Sequence, residues 1–272
     1  MNTPANKVAL ITGASSGIGR ATALRLASQG VAVALAARTA SALDGLVAEI
    51  EGRGGRALAV PTDVTDAEQC RLAVERTVER FGRLDILVCS AGVSMRSLFE
   101  KTDLTAMAAL MQVNFFGTLY PTYHAIPHIK QSRGSLVALS SLVGKRGTPT
   151  YAVYGASKFA VQGLYESLRL ELAEHGVHVG TVSPGFVETP LRDRVLSHEG
   201  KPWTTPPSAP FRVHPVEACV DRIVELIEGR QAEALVPGFV GPLLALDAIL
   251  GPWLGDRFLA RHFRKHPLPD QA

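Results

Sequence analysis

The stretch VALITGASSGIG, residues 8–19, decides the fold. Its first four residues are apolar, as in a strand that is buried on both faces of a sheet, and a glycine-rich turn follows directly. Gly13, Gly17 and Gly19 allow a tight turn with no Cβ in the way of an approaching group. The helix expected after the turn directs free N–H groups and the positive end of its dipole toward it. A strand, glycine turn and helix in this order are typical of a dinucleotide-binding unit.

Short apolar runs alternate with amphipathic stretches along the rest of the chain. Most of the apolar runs lack a polar face, as expected for parallel strands covered by helices on both sides. Repeated strand–helix units favour right-handed crossovers and a doubly wound sheet. We therefore predict one α/β domain over residues 1–272, with a mostly parallel sheet of about seven strands. The predicted strands are 8–11, 31–36, 57–60, 84–89, 135–140, 177–182 and 234–236, and the predicted helices are 18–29, 41–53, 66–81, 104–130, 154–174 and 216–228.

A tyrosine and a lysine four residues apart begin the fifth of these helices. Their spacing places Tyr154 and Lys158 on one face of the helix. A free phenol, with a pKa near 10, is a weak proton donor at neutral pH. A nearby ammonium stabilises the phenolate, so we expect Lys158 to lower the pKa of Tyr154. The pair predicts general acid/base chemistry at a substrate oxygen.

Two polar residues support this assignment by their positions. Ser141 lies thirteen residues before Tyr154, just after a predicted strand, and ligands of doubly wound sheets bind at the carboxyl ends of strands. Asn114 lies near the middle of predicted helix 104–130 in an apolar context. An asparagine in that position is either a core residue whose amide is fully hydrogen-bonded or part of a functional site.

These motifs resemble the short-chain dehydrogenase/reductase family, and most closely its hydroxysteroid dehydrogenase branch. The resemblance rests on TGASSGIG and on the segment from Gly134 to Phe159, and covers roughly residues 7–190. It implies a homodimer or homotetramer in which helices 104–130 and 154–174 pair across subunits.

The resemblance implies a role for each of the catalytic candidates. Tyr154 is expected to be the acid/base, and Lys158 to bind the nicotinamide ribose and tune the tyrosine. Ser141 is expected to hydrogen-bond the substrate oxygen, with the adjacent Ser140 as the second candidate. Asn114 is expected to hold a water that relays protons to Lys158.

The resemblance also implies which residues of this sequence bind the cofactor. Its implied members lie in the glycine turn, after the second, third and fourth strands, and in the segment that contacts the nicotinamide: Gly13, Ser15, Ser16, Gly17, Ile18, Gly19, Arg38, Thr39, Asp63, Val64, Ser90, Ala91, Gly92, Tyr154, Lys158, Pro184, Gly185, Val187 and Thr189. One departure stands out, because Cys89-Ser90 replaces the family's usual Asn-Asn before Ala91-Gly92. Serine has shorter reach and one donor fewer than asparagine, so we expect a less rigid loop there.

The residues after the second strand indicate which cofactor is used. A carboxylate there would bind the adenosine ribose of NAD, but the chain reads Ala36-Ala37-Arg38-Thr39. Arg38 offers charge-assisted hydrogen bonds to a 2′-phosphate, with Ser15 or Thr39 assisting. The cofactor is therefore predicted to be NADP(H).

Two segments near the C-terminus suggest a cover for an apolar substrate. Residues 191–215 are rich in proline and aromatic residues and are predicted to form a substrate flap. Residues 238–272 form an apolar and then basic extension, read as a lid or subunit contact or as adhesion to a membrane surface, since Pro237, Pro242, Pro252 and Asp247 disfavour a spanning helix. The substrate pocket is predicted to be lined by Ser94, Met95, Ser141, Val143, Tyr151 and Trp203.

Composition excludes several other classes of protein. A net charge of +3 gives no reason to expect nucleic acid, and the eight histidines show no metal-ligand spacing. Three separated cysteines and the absence of a signal peptide at the N-terminus predict a cytoplasmic protein, peripheral at a membrane if the C-terminal extension binds one. The leading hypothesis is an oxidoreductase that acts on a steroid-like, fatty or aromatic carbonyl/alcohol pair. The alternatives are a 3-oxoacyl thioester reductase, with Arg192 and Arg194 at its entrance, and a non-catalytic NADPH-binding regulator.

Overall fold

A seven-stranded parallel sheet forms the centre of the molecule. The computed structural model describes residues 6–250 and 253–269 of the 272-residue chain. The sheet order is β3-β2-β1-β4-β5-β6-β9. Its strands are β1 (Val8–Thr12), β2 (Ala32–Ala37), β3 (Ala57–Pro61), β4 (Ile86–Cys89), β5 (Ser135–Leu139), β6 (His178–Pro184) and β9 (Glu233–Val236), while β7 (Phe186–Val187) and β8 (Val213–His214) form a separate small parallel pair. All seven strands predicted from the sequence are confirmed, whereas the small pair was not predicted.

Helices cover both faces of this sheet. They are α1 (Gly17–Ser28), α2 (Ala40–Gly52), α3 (Ala67–Phe81), α4 (Leu104–Met111), α5 (Gly117–Ser132), α6 (Ala152–Glu171), α7 (Pro190–Asp193), α8 (Val216–Glu228), α9 (Val240–Leu250) and α10 (Trp253–Arg264). One apolar core lies under α1, α2 and α8, and a second lies under α3, α5 and α6. The strands between the cores are buried on both faces, which is why their sequences are almost continuously apolar.

The strand order creates a crevice at the carboxyl edge of the sheet. The chain builds β1, β2 and β3 toward one side, then returns to lay β4 against the other side of β1. The loops after β1 and β4 therefore diverge, and ligands of doubly wound folds bind at such a reversal point. The predicted single Rossmann-type domain is confirmed.

Local contacts decide how α3 begins and how the predicted helix 104–130 is built. The Asp66 carboxylate caps α3 by accepting hydrogen bonds from the backbone N–H groups of Glu68 and Gln69, while Thr65 is bonded to Asp63. The predicted helix 104–130 is confirmed as helical throughout, with a π-helical turn, Gln112–Phe116, between its α-helical parts α4 and α5. Such single-turn widenings are frequent at functional sites.

The segments after β6 fold back over the carboxyl edge of the sheet. Within residues 191–215, Leu196 bridges Met95 and Pro202 through the backbone. Farther along, α10 buries Phe263 and stacks His262 on Phe211 of that segment, with ring centroids 4.4 Å apart. Within residues 6–250 and 253–269, no helix is both long and apolar enough to cross a membrane.

Candidate active site

The glycine turn after β1 is shaped by close backbone contacts. Gly13 has φ +67°, and a Cβ there would lie 2.7 Å from the Ala91 nitrogen. A Cβ on Gly19 would lie 2.5 Å from the Gly13 carbonyl oxygen. No side chain fits at either position, so the backbone stays bare where the crevice between β1 and β4 opens. The turn has the form that a pyrophosphate at the start of α1 requires.

The loop after β4 is held by its neighbour rather than by its own side chains. The Thr12 hydroxyl accepts hydrogen bonds from the backbone N–H groups of Ser90 and Ala91, both at 3.2 Å. These bonds use the backbone of Ser90, so they do not depend on an asparagine at that position. Cys89 is buried, and burial raises the pKa of its thiol to about 11, which keeps it an inert core residue.

The predicted adenosine side of the cofactor site lies at the ends of β2 and β3. Arg38 is exposed and makes no hydrogen bond or ion pair with any residue in the described ranges. Its guanidinium is therefore available to an anion. Asp63 accepts hydrogen bonds from both the backbone N–H and the hydroxyl of Thr65, while Val64 is buried and packs against Gly117.

Tyr154 and Lys158 lie on the inner face of α6, as their spacing predicts. The Lys158 Nζ is 5.9 Å from the centroid of the Tyr154 ring and donates a hydrogen bond of 2.9 Å to the Leu139 carbonyl. That carbonyl belongs to the last residue of β5, so the carboxyl edge of the sheet fixes the position of the ammonium. Lys158 is buried, whereas Tyr154 is partly exposed to the crevice.

Burial controls the protonation of this pair. It raises the pKa of Tyr154 to about 12, although a side-chain hydrogen bond with Ser141 acts in the opposite direction. It also lowers the pKa of Lys158 to about 8. We expected the ammonium to lower the pKa of Tyr154, but desolvation of the phenolate is the largest cause of the shift and raises it, while Lys158 donates to the Leu139 carbonyl.

The two serines after β5 have different environments. The Ser141 hydroxyl donates to the Pro184 carbonyl at 3.1 Å and also interacts with the Tyr154 phenol. The Ser140 hydroxyl donates to the Lys158 carbonyl at 3.2 Å, inside the packing between β5 and α6. Ser141 therefore faces the site, and Ser140 ties the helix to the strand.

Asn114 lies in the π-helical turn and is completely buried. Its amide bonds both backbone groups of Val93, accepting from the N–H at 2.8 Å and donating to the carbonyl at 2.9 Å, and it donates to the Ser157 hydroxyl at 3.0 Å. A Cβ added to Gly92 would lie 3.2 Å from the Asn114 Oδ1 and 3.6 Å from the Lys158 Nζ. Asn114 and Lys158 thus face the same small space beside Gly92.

The segment after β6 closes the other side of the crevice. The Gly185 N–H donates to the Val236 carbonyl at 2.8 Å, and Val187 is buried within the small strand pair. Thr189 reaches the glycine turn, since a Cβ on Gly17 would lie 3.3 Å from the Thr189 Cβ. The segment from Pro184 to Thr189 therefore spans from Ser141 to the start of α1.

Most of the predicted pocket residues surround Tyr154. Met95 is buried in a cluster that includes Tyr154, and the Tyr151 ring centroid is 6.2 Å from that of Tyr154. Ser94 is buried beside Met95, and Val143 is half-buried in the turn after Ser141. Trp203 differs from the others: its indole N–H donates to the Arg96 carbonyl at 3.1 Å, and its ring meets His198.

Arg96 and Phe263 were not identified from the sequence. Arg96 is 1% exposed, yet none of the carboxylates in residues 6–250 and 253–269 pairs with it. It donates to the Thr150 hydroxyl, the Ser208 carbonyl and the His266 carbonyl, and its guanidinium lies 5.6 Å from the centroid of the Phe263 ring. Burial lowers the pKa of this guanidinium. The local sequence around Arg96 and Phe263 does not indicate that these two side chains are buried.

The side chains in the described part of the chain form no group of three or more His, Cys, Asp or Glu that could hold a metal ion. At the carboxyl edge the structure brings together a phenol, an ammonium, a hydroxyl and a bare glycine turn. The turn fits a dinucleotide, since Gly13 and Gly19 pack too closely on backbone to carry side chains and the turn leads directly into the N-terminus of α1.

Comparison with known proteins assigns the family. The short chain dehydrogenase family matches residues 7–200. This chain belongs to the short-chain dehydrogenase/reductase family. An 11-beta-hydroxysteroid dehydrogenase 1A of Arabidopsis thaliana is 37% identical over 242 residues, covering 86% of this chain and 69% of that protein. The dehydrogenase/reductase described here belongs to the hydroxysteroid-dehydrogenase-like branch.

Two further similarities bear on cofactor and substrate. The 3-oxoacyl-(acyl-carrier-protein) reductase FabG of Thermotoga maritima is 40% identical over 190 residues, covering 70% of this chain and 77% of that protein. A solved short chain dehydrogenase/reductase from Burkholderia phymatum, in complex with NAD, superposes with a TM-score of 0.81 at 26% identity and covers 92% of this chain and 96% of its own. Short-chain dehydrogenases are oxidoreductases that bind NAD or NADP.

Proposed function

We propose that this dehydrogenase/reductase uses NADP(H) to interconvert a carbonyl and a secondary alcohol on an apolar substrate. The observation that carries the proposal is the Tyr154 phenol beside Ser141, with the Lys158 ammonium 5.9 Å from its ring. The three groups lie at the same edge of the sheet as the glycine turn. This arrangement provides a proton donor where a dinucleotide would end.

The roles of the side chains follow from their hydrogen bonds. The nicotinamide, when bound, supplies or accepts the hydride. Tyr154 gives a proton to the substrate oxygen during reduction, and Ser141 hydrogen-bonds the same oxygen. Lys158 is the nearest ammonium and restores the phenol proton, while Asn114 faces the space through which a water would connect to it.

Arg38 supports the choice of NADP(H) over NAD. Its exposed guanidinium has no partner in the described residues, and no carboxylate occupies the end of β2. Such a site attracts a 2′-phosphate and lacks the carboxylate that would bind a ribose diol. The similar Burkholderia phymatum protein was solved with NAD, so the argument for NADP(H) rests on Arg38 and not on that similarity.

Aromatic rings support an apolar substrate. Tyr151 meets Phe186 and Phe263, with ring centroids 6.5 Å and 6.2 Å away, and Phe211 completes the group. Apolar walls beside a few polar groups suit a steroid-like, fatty or aromatic ketone. The similarity to a protein named as a hydroxysteroid dehydrogenase supports this class.

A 3-oxoacyl thioester is the second candidate substrate. The similarity to FabG favours it, and Arg192 and Arg194 are exposed cations at α7 where an anionic carrier would arrive. A regulator that binds NADPH without turnover is less well supported, because it would have no need of Tyr154, Ser141 and Lys158 together. The three buried free thiols support a reducing, cytoplasmic location.

The proposal is tested with purified protein and a panel of steroid, aromatic and long-chain ketones, with an acetoacetyl thioester as a separate arm. We expect ketone reduction with NADPH, and loss of turnover in Tyr154→Phe while the variant still binds NADPH by fluorescence. Arg38→Asp is expected to raise the NADH/NADPH rate ratio. Turnover by Tyr154→Phe would show that the phenol is not the proton donor. An unchanged NADH/NADPH rate ratio in Arg38→Asp would show that Arg38 does not determine cofactor preference. Reduction of the thioester alone would favour the second candidate.

A further inference from the structure

The last two helices present an exposed row of large apolar side chains. Phe239, Leu243, Leu246, Ile249 and Trp253 are 70%, 59%, 51%, 80% and 60% exposed, respectively. Members from Phe239 to Ile249 are three or four residues apart, so they lie along one face of α9, and Trp253 begins α10. We call these five residues the apolar row. A contiguous exposed patch of this kind marks an interaction site more often than scattered single residues do.

Cations flank the apolar row. Arg257, Arg261, Arg264 and Lys265 of the α10 region are exposed, and none of them pairs with a carboxylate in residues 6–250 and 253–269. Arg257 lies over the Trp253 ring, 4.1 Å from its centroid, which joins the cations to the row.

The two aspartates of this region do not neutralise these cations. Asp247 and Asp256 each lie 2.7 Å from the guanidinium of Arg146. The exposed surface of α10 therefore carries a net positive charge beside an apolar strip.

We propose that the apolar row and the cations of α10 dock onto an anionic lipid surface, with α9 lying in the plane of the membrane. Helices that combine large apolar residues with Lys and Arg bind at the headgroup boundary in this manner. The eleven residues of α9 span about 16 Å, roughly half of the hydrocarbon thickness, so the helix lies on the bilayer.

Charge decides between a membrane and a second copy of the chain as the partner of this face. Two copies meeting through it would bring like charges together, whereas anionic headgroups match them. The opposite face of α10 is already used, because Phe263 is buried against Tyr151 and Phe211. The exposed face is thus the one left to meet a partner.

Vesicle flotation of the full-length protein tests the proposal without substrate or cofactor, so its result is independent of the proposed enzymatic activity. We expect flotation with vesicles of phosphatidylcholine and phosphatidylglycerol in equal parts, little with phosphatidylcholine alone, and release at high salt. Each surface cation strengthens binding about fivefold, so the double variant Arg261→Glu/Lys265→Glu is expected to bind at least about 25-fold more weakly. Ile249→Glu is expected to bind weakly as well.

Matched variants control for nonspecific effects. Arg76→Glu/Arg80→Glu reverses two exposed cations at the same spacing on α3, and Leu104→Glu adds a charge at an equally exposed apolar position of α4. Both controls should float like the parent protein. The proposal is overturned if the parent fails to float with anionic vesicles, if the controls lose binding equally, or if Ile249→Glu changes the particle mass while vesicle binding stays the same.

Discussion

A half-buried tyrosine and a buried lysine define the protonation of the site at the scale of single residues. Burial raises the pKa of Tyr154 to about 12, so the phenol keeps its proton at neutral pH. Burial lowers the pKa of Lys158 to about 8, so the amine titrates within the range of an ordinary assay. The lysine, and not the tyrosine, is therefore the group whose titration should shape the pH profile.

We predict that kcat/KM for ketone reduction falls as the pH rises through about 8. Below that pH Lys158 is charged and can restore the phenol proton; above it the amine is neutral, while Tyr154 still holds its proton. Alcohol oxidation should show the opposite trend, because a neutral amine accepts a proton. The measurement is the pH dependence of both directions.

Lys158→Arg is the control for this profile. An arginine stays charged well above pH 8, so its residual reduction rate should show no inflection there. An inflection at the same pH in Lys158→Arg would assign the titration to another group.

At the scale of elements, one arginine connects three segments over the site. Arg96 follows β4 and donates to Thr150 before α6, to Ser208 in segment 191–215 and to His266 after α10. Bonds from a charged group to carbonyls are the stronger kind, and burial reduces their competition with water. Arg96 therefore links segment 191–215 to the end of α10 beside the Tyr151 ring.

We predict that Arg96→Met loosens residues 253–269 without unfolding the sheet. A hydrogen bond from a charged group stabilises by about 1.5–3 kcal/mol, so losing even one should speed local opening about tenfold or more. Amide hydrogen exchange followed by mass spectrometry measures this for α10 and for the core strands separately.

A matched substitution, Arg80→Met, removes an exposed arginine of α3 and should leave exchange in α10 unchanged. If Arg96→Met exchanges like the parent protein in α10, the contacts of Arg96 do not hold this helix. Faster exchange in the sheet as well would mean that Arg96 supports the whole fold.

At the scale of the whole molecule, α5 and α6 present exposed apolar side chains beside the sheet. Tyr123 of α5 and Leu170 of α6 are 69% and 77% exposed, and Phe159 of α6 is also exposed. The family resemblance implies that these helices pair across subunits. Pairing would bury these side chains, which is the usual driving force of homodimer interfaces.

We predict that the protein is a dimer or tetramer and that Tyr123→Glu/Leu170→Glu reduces the assembly. Two buried charges without partners would oppose association strongly. Light scattering after size-exclusion chromatography gives the mass in multiples of the chain. Ile249→Glu, on the apolar row, should keep the parent's mass, and a parent protein that elutes as a monomer would refute the assembly.

The sequence alone determined the strand order along the chain, the glycine turn and the family. Each depends on short-range patterns: runs of apolar residues, glycines at fixed spacing, and Tyr154 four residues before Lys158 on one helical face. It also grouped Ser141 and Met95 with Tyr154, since both residues follow strands whose carboxyl ends converge.

Only the tertiary structure decided what depends on contacts between distant segments. Burial by the surrounding strands and helices set the pKa shifts of Tyr154 and Lys158. Three separate segments accept hydrogen bonds from the buried Arg96 guanidinium. It also showed that α10 buries Phe263 while its cations face outward. Local periodicity cannot report such features, because desolvation and packing depend on which remote residues surround a group in space.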